Sequence, residues 1–325
     1  MQLPRRDFLR LAAGAAAFPA LPQIAQADSY PSRPVRVIVG YGAGSTPDII
    51  GRLAAEWLSQ RFGQAFVVED RPGAGTNLAT EAVAHAAPDG YTLLVITVPT
   101  MLSSLLYDNL HFDFGRDIAP VACIGGTPFL MIVNPSFPAK TVPEFIAYAK
   151  ANPGKVNMAS QGTGTLTHIA GEMFKMMAGV DLLHVPYRGE VEAQADLLSG
   201  RADVMFDPIV TSLPNVQASR LRALAVTTTT RLDILPNVPS VAEFVPAYDV
   251  EGQIGIGAPT GTPDDFIAKI NQTVNDGLAD ATLKKKIADL GNVPRALTPA
   301  EYRKFIADNI DKLGSAVKFA SIKAG

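Results

Sequence analysis

The stretch Val35-Arg36-Val37-Ile38-Val39-Gly40-Tyr41-Gly42-Ala43-Gly44-Ser45-Thr46-Pro47-Asp48 decides the fold. Four of its first five residues are β-branched, which predicts a strand over 35–39. Gly40–Thr46 reads as a glycine-rich loop. Pro47 suits the first helical position, with Thr46 as its N-cap. Beyond it, Ile49, Ile50, Leu53, Ala54, Trp57, Leu58 and Phe62 recur at helical spacing, and Gly63 ends the helix. A strand, a glycine turn and a helix in that order open a βαβ chain.

The same grammar returns along the sequence. Phe66–Glu69 reads as a strand, Arg71-Pro72-Gly73-Ala74-Gly75 as a tight loop before a helix reaching about Ala86, and Tyr91–Val95 as the next strand. Further on, the strand Val156–Ser160 leads through Gln161-Gly162-Thr163-Gly164-Thr165 into the helix Leu166–Ala178. Leu182–Val185, Val204–Phe206 and Leu224–Thr227 complete the pattern, so the class is α/β with parallel or mixed sheets flanked by helices. Two apolar runs, Phe129–Val133 and Val250–Ala258, read as long crossover segments. They predict lobe one as residues 28–127 plus 251–325 and lobe two as 128–250, an arrangement able to close over a cleft.

Composition bounds the function. The chain has 325 residues, enough for two domains, and at 47% hydrophobic and 18% charged it is not a disordered polymer. A formal charge of −3 gives no reason to expect a nucleic-acid partner. The single Cys123 excludes an internal disulfide and any multi-cysteine metal site. Residues 1–27 read as an export signal: Arg5, Arg6 and Arg10 precede an apolar stretch from Leu11 to Leu21, and Ala25-Gln26-Ala27 is a small-x-small cleavage pattern. Arg5-Arg6-Asp7-Phe8-Leu9-Arg10 has the form of a twin-arginine signal. Cleavage after Ala27 places the mature protein in the periplasm.

Chemistry points to two equivalent corners. Tyr41, Gly42, Ala43, Gly44, Ser45 and Thr46 lie between a strand and a helix in lobe one. Ser160, Gly162, Thr163, Gly164 and Thr165 do so in lobe two. Ligands of α/β folds bind beyond the carboxyl ends of parallel strands, and the unpaired N–H donors of a helix start suit an anion. Two such corners across a cleft would hold the two ends of a dianion without a charged side chain. Tyr187, Arg188 and Asp207 follow strands of the second lobe and join the candidate ligand-binding set. Arg188 would pair with a carboxylate, and Asp207 would accept from an amine or hydroxyl. Ordinary turns and caps are the competing reading of the same loops. Neither loop completes a dinucleotide fingerprint or a P-loop, and the chain has no G-x-S-x-G and no H-E-x-x-H. His168 and Glu172, four apart, read as a helix brace rather than metal ligands. Met173, Met176 and Met177 read as core filling.

At these loops the chain resembles the Bug (TctC-like) extracytoplasmic solute-binding receptors of tripartite tricarboxylate transporters. The resemblance is carried by Tyr30-Pro31-Ser32-Arg33-Pro34-Val35, Gly42-Ala43-Gly44 with Asp48, Glu69-Asp70-Arg71-Pro72-Gly73-Ala74-Gly75, and Ala87-Pro88-Asp89-Gly90-Tyr91-Thr92-Leu93-Leu94. It continues through Ala159–Thr165, His168–Glu172, His184-Val185-Pro186-Tyr187-Arg188-Gly189, Leu221–Thr227, Leu235–Ser240 and Ala258–Pro263, in order along the chain. It implies a two-lobed type II binding-protein fold and a small organic acid as ligand. It also implies that backbone groups and waters at Tyr41–Thr46 hold one carboxylate, with Ser160–Thr165 closing over it. Four features depart from the family pattern. Ser45 stands at a usual glycine and Pro47 at a usual Ser or Thr. Gln253 replaces an aromatic residue, and Glu190 and Glu192 add negative charge after the Tyr187 loop. The function expected is therefore capture of a carboxylate and its delivery to membrane transporter subunits by a monomer with no cofactor, no metal and no catalytic residue. The alternatives are an exported hydrolase or isomerase on a two-lobed scaffold, and a ligand-sensing subunit.

Overall fold

Strands β1 (Val35–Val39), β2 (Phe66–Asp70) and β3 (Thr92–Thr97) alternate with helices α1 (Thr46–Phe62) and α2 (Asn77–Ala84) in a computed structural model of the chain that describes residues 30–324. The export signal expected over 1–27 lies outside the described residues. Next comes β4 (Ile118–Val133), then α3 (Val142–Ala151), β5 (Asn157–Ser160), α4 (Leu166–Ala178), β6 (Leu183–Pro186), α5 (Glu190–Ser199), β7 (Val204–Pro208), α6 (Ile209–Gln217) and β8 (Arg222–Val226). The chain ends with β9 (Glu251–Pro259), α7 (Asp264–Ala279), α8 (Ala281–Asp289), β10 (Val293–Pro294) and α9 (Pro299–Phe319). Among the described residues no helix is long and apolar enough to cross a membrane.

The strand path runs β2-β1-β3-β9-β4-β7-β5-β6, with β8 and β10 attached to β4 off the path. β1 is parallel to β2 and β3, and β5 is parallel to β6 and β7. β9 is antiparallel to both β3 and β4. β4 serves two sheets. Its residues from Ile118 to Pro128 pair with β9, and those from Phe129 to Val133 pair with β7 and β8. All but one of its sixteen residues are buried, as expected of a strand covered on both faces.

A clasp marks the point where β4 changes partners. The Thr227 hydroxyl donates to Val250 O (2.6 Å) and accepts from Phe129 N–H (3.1 Å), while Thr227 N–H donates to Phe129 O. One fully buried threonine thus ties β4 to the segment entering β9.

Local sequence explains the helix ends. The first helix is capped by Ser45, not by Thr46. Ser45 is extended (φ −70°, ψ 157°) and its hydroxyl accepts the Asp48 N–H, so Thr46 is already helical and Pro47 follows it. In α9, Thr298 and Glu301 form a reciprocal capping box with Pro299 behind it. Thr298→Ala should lower stability by about 1 kcal/mol, read as a lower urea midpoint with unchanged slope; no change would mean that the cap carries nothing.

The core beside the second corner is aromatic. Phe174 of α4 lies 5.9 Å from Phe145, 5.5 Å from Phe206 and 6.1 Å from Tyr248 between ring centres. Tyr248 donates to Ala170 O, so its buried hydroxyl is satisfied. Met173 is buried in this core, and Met176 and Met177 pack against its edge.

Candidate functional site

Both corners open on one cavity of about 200 Å³. Tyr41, Thr46 and Pro47 wall it from the β1–α1 corner, and Gln161, Thr165 and Leu166 from the β5–α4 corner. A third wall is Thr97, Val98 and Pro99, just beyond β3. The floor is Thr127 and Phe129 of β4 with Gly252, Gln253 and Ile254 of β9. None of these lining residues is charged. A larger groove of about 790 Å³ lies elsewhere, between Ile209, Leu213, Leu232 and Val293. It touches neither corner, so size is a poor guide to the site here.

At the first corner much of the helix start is already engaged. The Asp48 carboxylate accepts the Gly44 N–H (2.7 Å) and pairs with Arg52 (2.6 Å), which reaches on to Asp70 (2.8 Å). Ser45 N–H donates to Gly42 O, and Asp48 N–H to the Ser45 hydroxyl. Gly44 has φ +83°, a left-handed conformation that glycine adopts without strain. An internal carboxylate therefore sits where an anion would bind, and at this turn's helical end Thr46 and Pro47 face the cavity. Gly42, Ala43 and Gly44 are exposed outside its lining, with Ser45 half-buried beside them.

Hydroxyls extend inward from this corner. Tyr41 OH lies 3.2 Å from Thr97 Oγ1, which is 3.0 Å from Thr100 Oγ1, itself 3.1 Å from Thr76 Oγ1. Burial raises the Tyr41 pKa against the opposing pull of Thr97, so the phenol stays protonated and able to donate.

The second corner is knitted in the same way. Thr167 Oγ1 accepts Gln161 N–H, Ser160 Oγ accepts Gly162 N–H, and His168 Nδ1 accepts Gly164 N–H. Thr165 donates its hydroxyl to Gly162 O (2.6 Å). Ser160 is fully buried, with Oγ 2.6 Å from His184 Nε2. The His184 ring stacks on His168 at 3.6 Å and 7°. Burial, then the neighbouring His168, pushes His184 down to about 4, so it is neutral at physiological pH. His168 and Glu172 brace α4 at 3.7 Å, with Lys175 on the same carboxylate at 2.9 Å. Ser160, Gly162, Thr163 and Gly164 shape the turn from outside the cavity lining.

The remaining candidates lie outside the cavity lining. Tyr187 donates to Asp196, and Arg188 is exposed. Asp207 is fully buried and accepts from Gln194 (2.7 Å), Ser212 (2.5 Å) and Thr211 (3.2 Å), with Gln161 Nε2 at 3.5 Å from its other oxygen. Asp207 thus steadies Gln161, which does reach the cavity. Burial, then the charge of Glu190, pushes Asp207 up to about 7. Glu190 belongs to this network and Glu192 is exposed; neither lines the cavity.

Sequence reasoning did not select Thr97, Thr127, Phe129 or Leu166 as site residues, and it reached Gln161 only as part of the loop Ser160–Thr165. Thr97 was reachable from the strand-end rule, since β3 runs parallel beside β1. The contributions of β4 and β9 follow from pairings over a hundred residues apart, which carry no local signal.

A cavity at the carboxyl ends of parallel strands, between two glycine corners and over β4 and β9, is where a two-lobed α/β fold takes up a small ligand. Residues 50–321 match the family model described as "Tripartite tricarboxylate transporter family receptor", and the chain belongs to that family. BugT of Bordetella pertussis is 33% identical over 302 residues, covering 91% of this chain and 92% of BugT. A Pseudomonas sp. strain P51 protein from the tcbD–tcbE intergenic region is 34% identical, covering 81% and 79%. Among solved structures, R. palustris Rpa4515 with adipate has a TM-score of 0.78 at 32% identity, covering 90% of this chain and 99% of that one. MatC from Rhodopseudomonas palustris with bound malate has a TM-score of 0.74 at 29% identity, covering 89% and 100%. The α/β, two-lobed periplasmic receptor fold read from the sequence is thereby shown.

Proposed function

We propose that this receptor captures a small organic acid in the cavity between the two corners and delivers it to the membrane subunits of a tripartite transporter. The observation that carries the proposal is that Thr46 and Thr165, from two separately predicted corners, wall one small uncharged cavity. Residues 28–127 with 251–325 form one lobe and 128–250 the other, with the cavity over the strands that cross between them. The protein is exported, its signal cleaved after Ala27, and it works as a monomer in the periplasm. Neutral donors hold the carboxylate: Tyr41, Thr46, Thr97 and Gln161, while Thr165, whose one proton goes to Gly162 O, shapes the wall beside them. Gly42, Ala43, Gly44, Ser45, Ser160, Gly162, Thr163, Gly164 and Asp207 keep those groups in place, and Tyr187 and Arg188 form the outer edge.

The volume favours short acids. Drug-sized ligands need about 300–1,000 Å³, whereas this cavity has about 200 Å³. Bound solvated charge is replaced by hydroxyl and amide dipoles, which exchange one ligand for another more readily than a buried ion pair. A receptor that must release its cargo gains from that.

A thermal-shift series with three- to six-carbon mono- and dicarboxylates tests the reading. An acid at 100 times its Kd should stabilise the fold by about 2.7 kcal/mol and be recovered unchanged. Thr46→Trp, which fills the cavity, should remove the shift without lowering the melting temperature of the free protein. The proposal fails if no acid stabilises the wild type, or if the Trp variant still responds fully.

A further inference from the structure

Gln253 sits on the cavity floor with half of its amide unused. The residue is 3% exposed, is the third residue of β9 opposite Gly126, and lines the cavity between Gly252 and Ile254. Its Nε2 donates to the Tyr302 hydroxyl at 2.7 Å. Its Oε1 is buried and has no hydrogen-bond partner.

Tyr302 explains why the amide is held in this pose. The ring comes from α9 and is fully buried. It reaches β9 because residue 255 is glycine: a Cβ there would lie 2.1 Å from the Tyr302 hydroxyl and 2.6 Å from Ala122 O. The phenol therefore holds the Nε2 end of the Gln253 amide and leaves Oε1 as the unpartnered end of a side chain that lines the cavity. A leucine or phenylalanine would fill this part of the floor with no orphan atom. A buried carbonyl left unsatisfied is costly, and a ligand that donates to it recovers that cost on binding.

We propose that Gln253 is a specificity-determining residue whose Oε1 accepts a hydrogen bond from a hydroxyl or amino substituent on the bound acid. The inference rests on the receptor reading above and narrows it. The ligand class is a hydroxy- or amino-substituted short acid, not the unsubstituted acid of the same length. Discrimination of this kind is strong because a site built to pair with a donor is left with an unpaired group when the donor is missing.

The experiment is a calorimetric titration with length-matched acids: succinate, malate and aspartate, then glutarate, 2-hydroxyglutarate and glutamate. The wild type should bind the best substituted member of a series at least tenfold more tightly than the unsubstituted one. Gln253→Met keeps the volume and removes the acceptor, and should bring that ratio close to one while leaving the affinity for the unsubstituted acid within threefold. Tyr302→Phe keeps the ring, frees the amide and should give an intermediate ratio, which guards against a folding defect in the first variant. Equal binding of substituted and unsubstituted acids by the wild type overturns the inference and leaves the receptor reading standing. So does a Met variant that loses both kinds of acid equally, because the amide is then donating to the carboxylate. Failure of every acid to bind overturns the receptor reading itself.

Discussion

Replacing Asp207 by Asn should make the variant progressively more stable than the wild type as pH rises from about 4 to about 7, by about 4 kcal/mol in all. The sign follows from the pKa. Asp207 is raised from 3.8 to about 7 by burial and by Glu190. Its contribution is fully present below 3.8 and is lost as pH rises through about 7, because the folded protein must then hold a buried charge. Asn keeps an acceptor for Ser212, Thr211 and Gln194 and has no proton to lose. His184 works the other way. Its pKa falls from 6.5 to about 4, so its contribution is present above 6.5 and is lost as pH falls through about 4. The half-buried ring is partly screened by solvent, which reduces its effect to about 1–2 kcal/mol. The two opposing slopes flatten the wild-type profile between about 4 and 6.5. Urea midpoints at four pH values measure the difference between variant and wild type, and a difference independent of pH would rule out a raised Asp207.

Phe174→Ala should cost about 3–5 kcal/mol, the range for removing a buried aromatic ring. The ring is fully buried and touches Phe145, Phe206 and Tyr248, so its loss also removes aromatic contacts worth about 0.5–1.5 kcal/mol each. The cavity left behind borders α4, whose N-terminus carries Thr165 and Leu166 of the ligand site. Chemical denaturation should show a midpoint well below wild type with the same slope. A control at Met177, which only packs against the core edge, should lose less than half as much. Similar losses at the two positions would mean that the aromatic cluster is not the mechanical base of the second corner.

Local chemistry made much of this architecture legible. Val35–Val39 appears with the bounds read from its β-branched run, and Gly63 ends the first helix in a left-handed cap. Gly179 does the same for α4. Thr165 stands at the helix start its position predicted. The first half of β4 was not legible, because Pro120, Gly125 and Gly126 read as turn residues. They sit in a strand because β9 and β10 pair with it from far away, and a side chain at Gly125 would meet Val293 O at 2.6 Å. The cap at Ser45 was displaced by one residue because Ser, Thr and Pro stand in succession and sequence does not say which turns helical first. The engagement of Gly44 N–H by Asp48 was equally hidden. A first-turn acid is favoured by the helix dipole wherever it points, and only the structure shows the Asp48 oxygen folded back onto the turn.

The pairing of β4 with β9 has a cost during folding. Ile118–Pro128 meets Glu251–Pro259 only after a stretch longer than many whole domains has been synthesised and arranged. Contacts so distant in sequence form slowly. Until they do, a long apolar strand stands with an open edge, a template for joining another chain. The time for which this molecule is prone to aggregate is therefore set by the arrival of its last central strand.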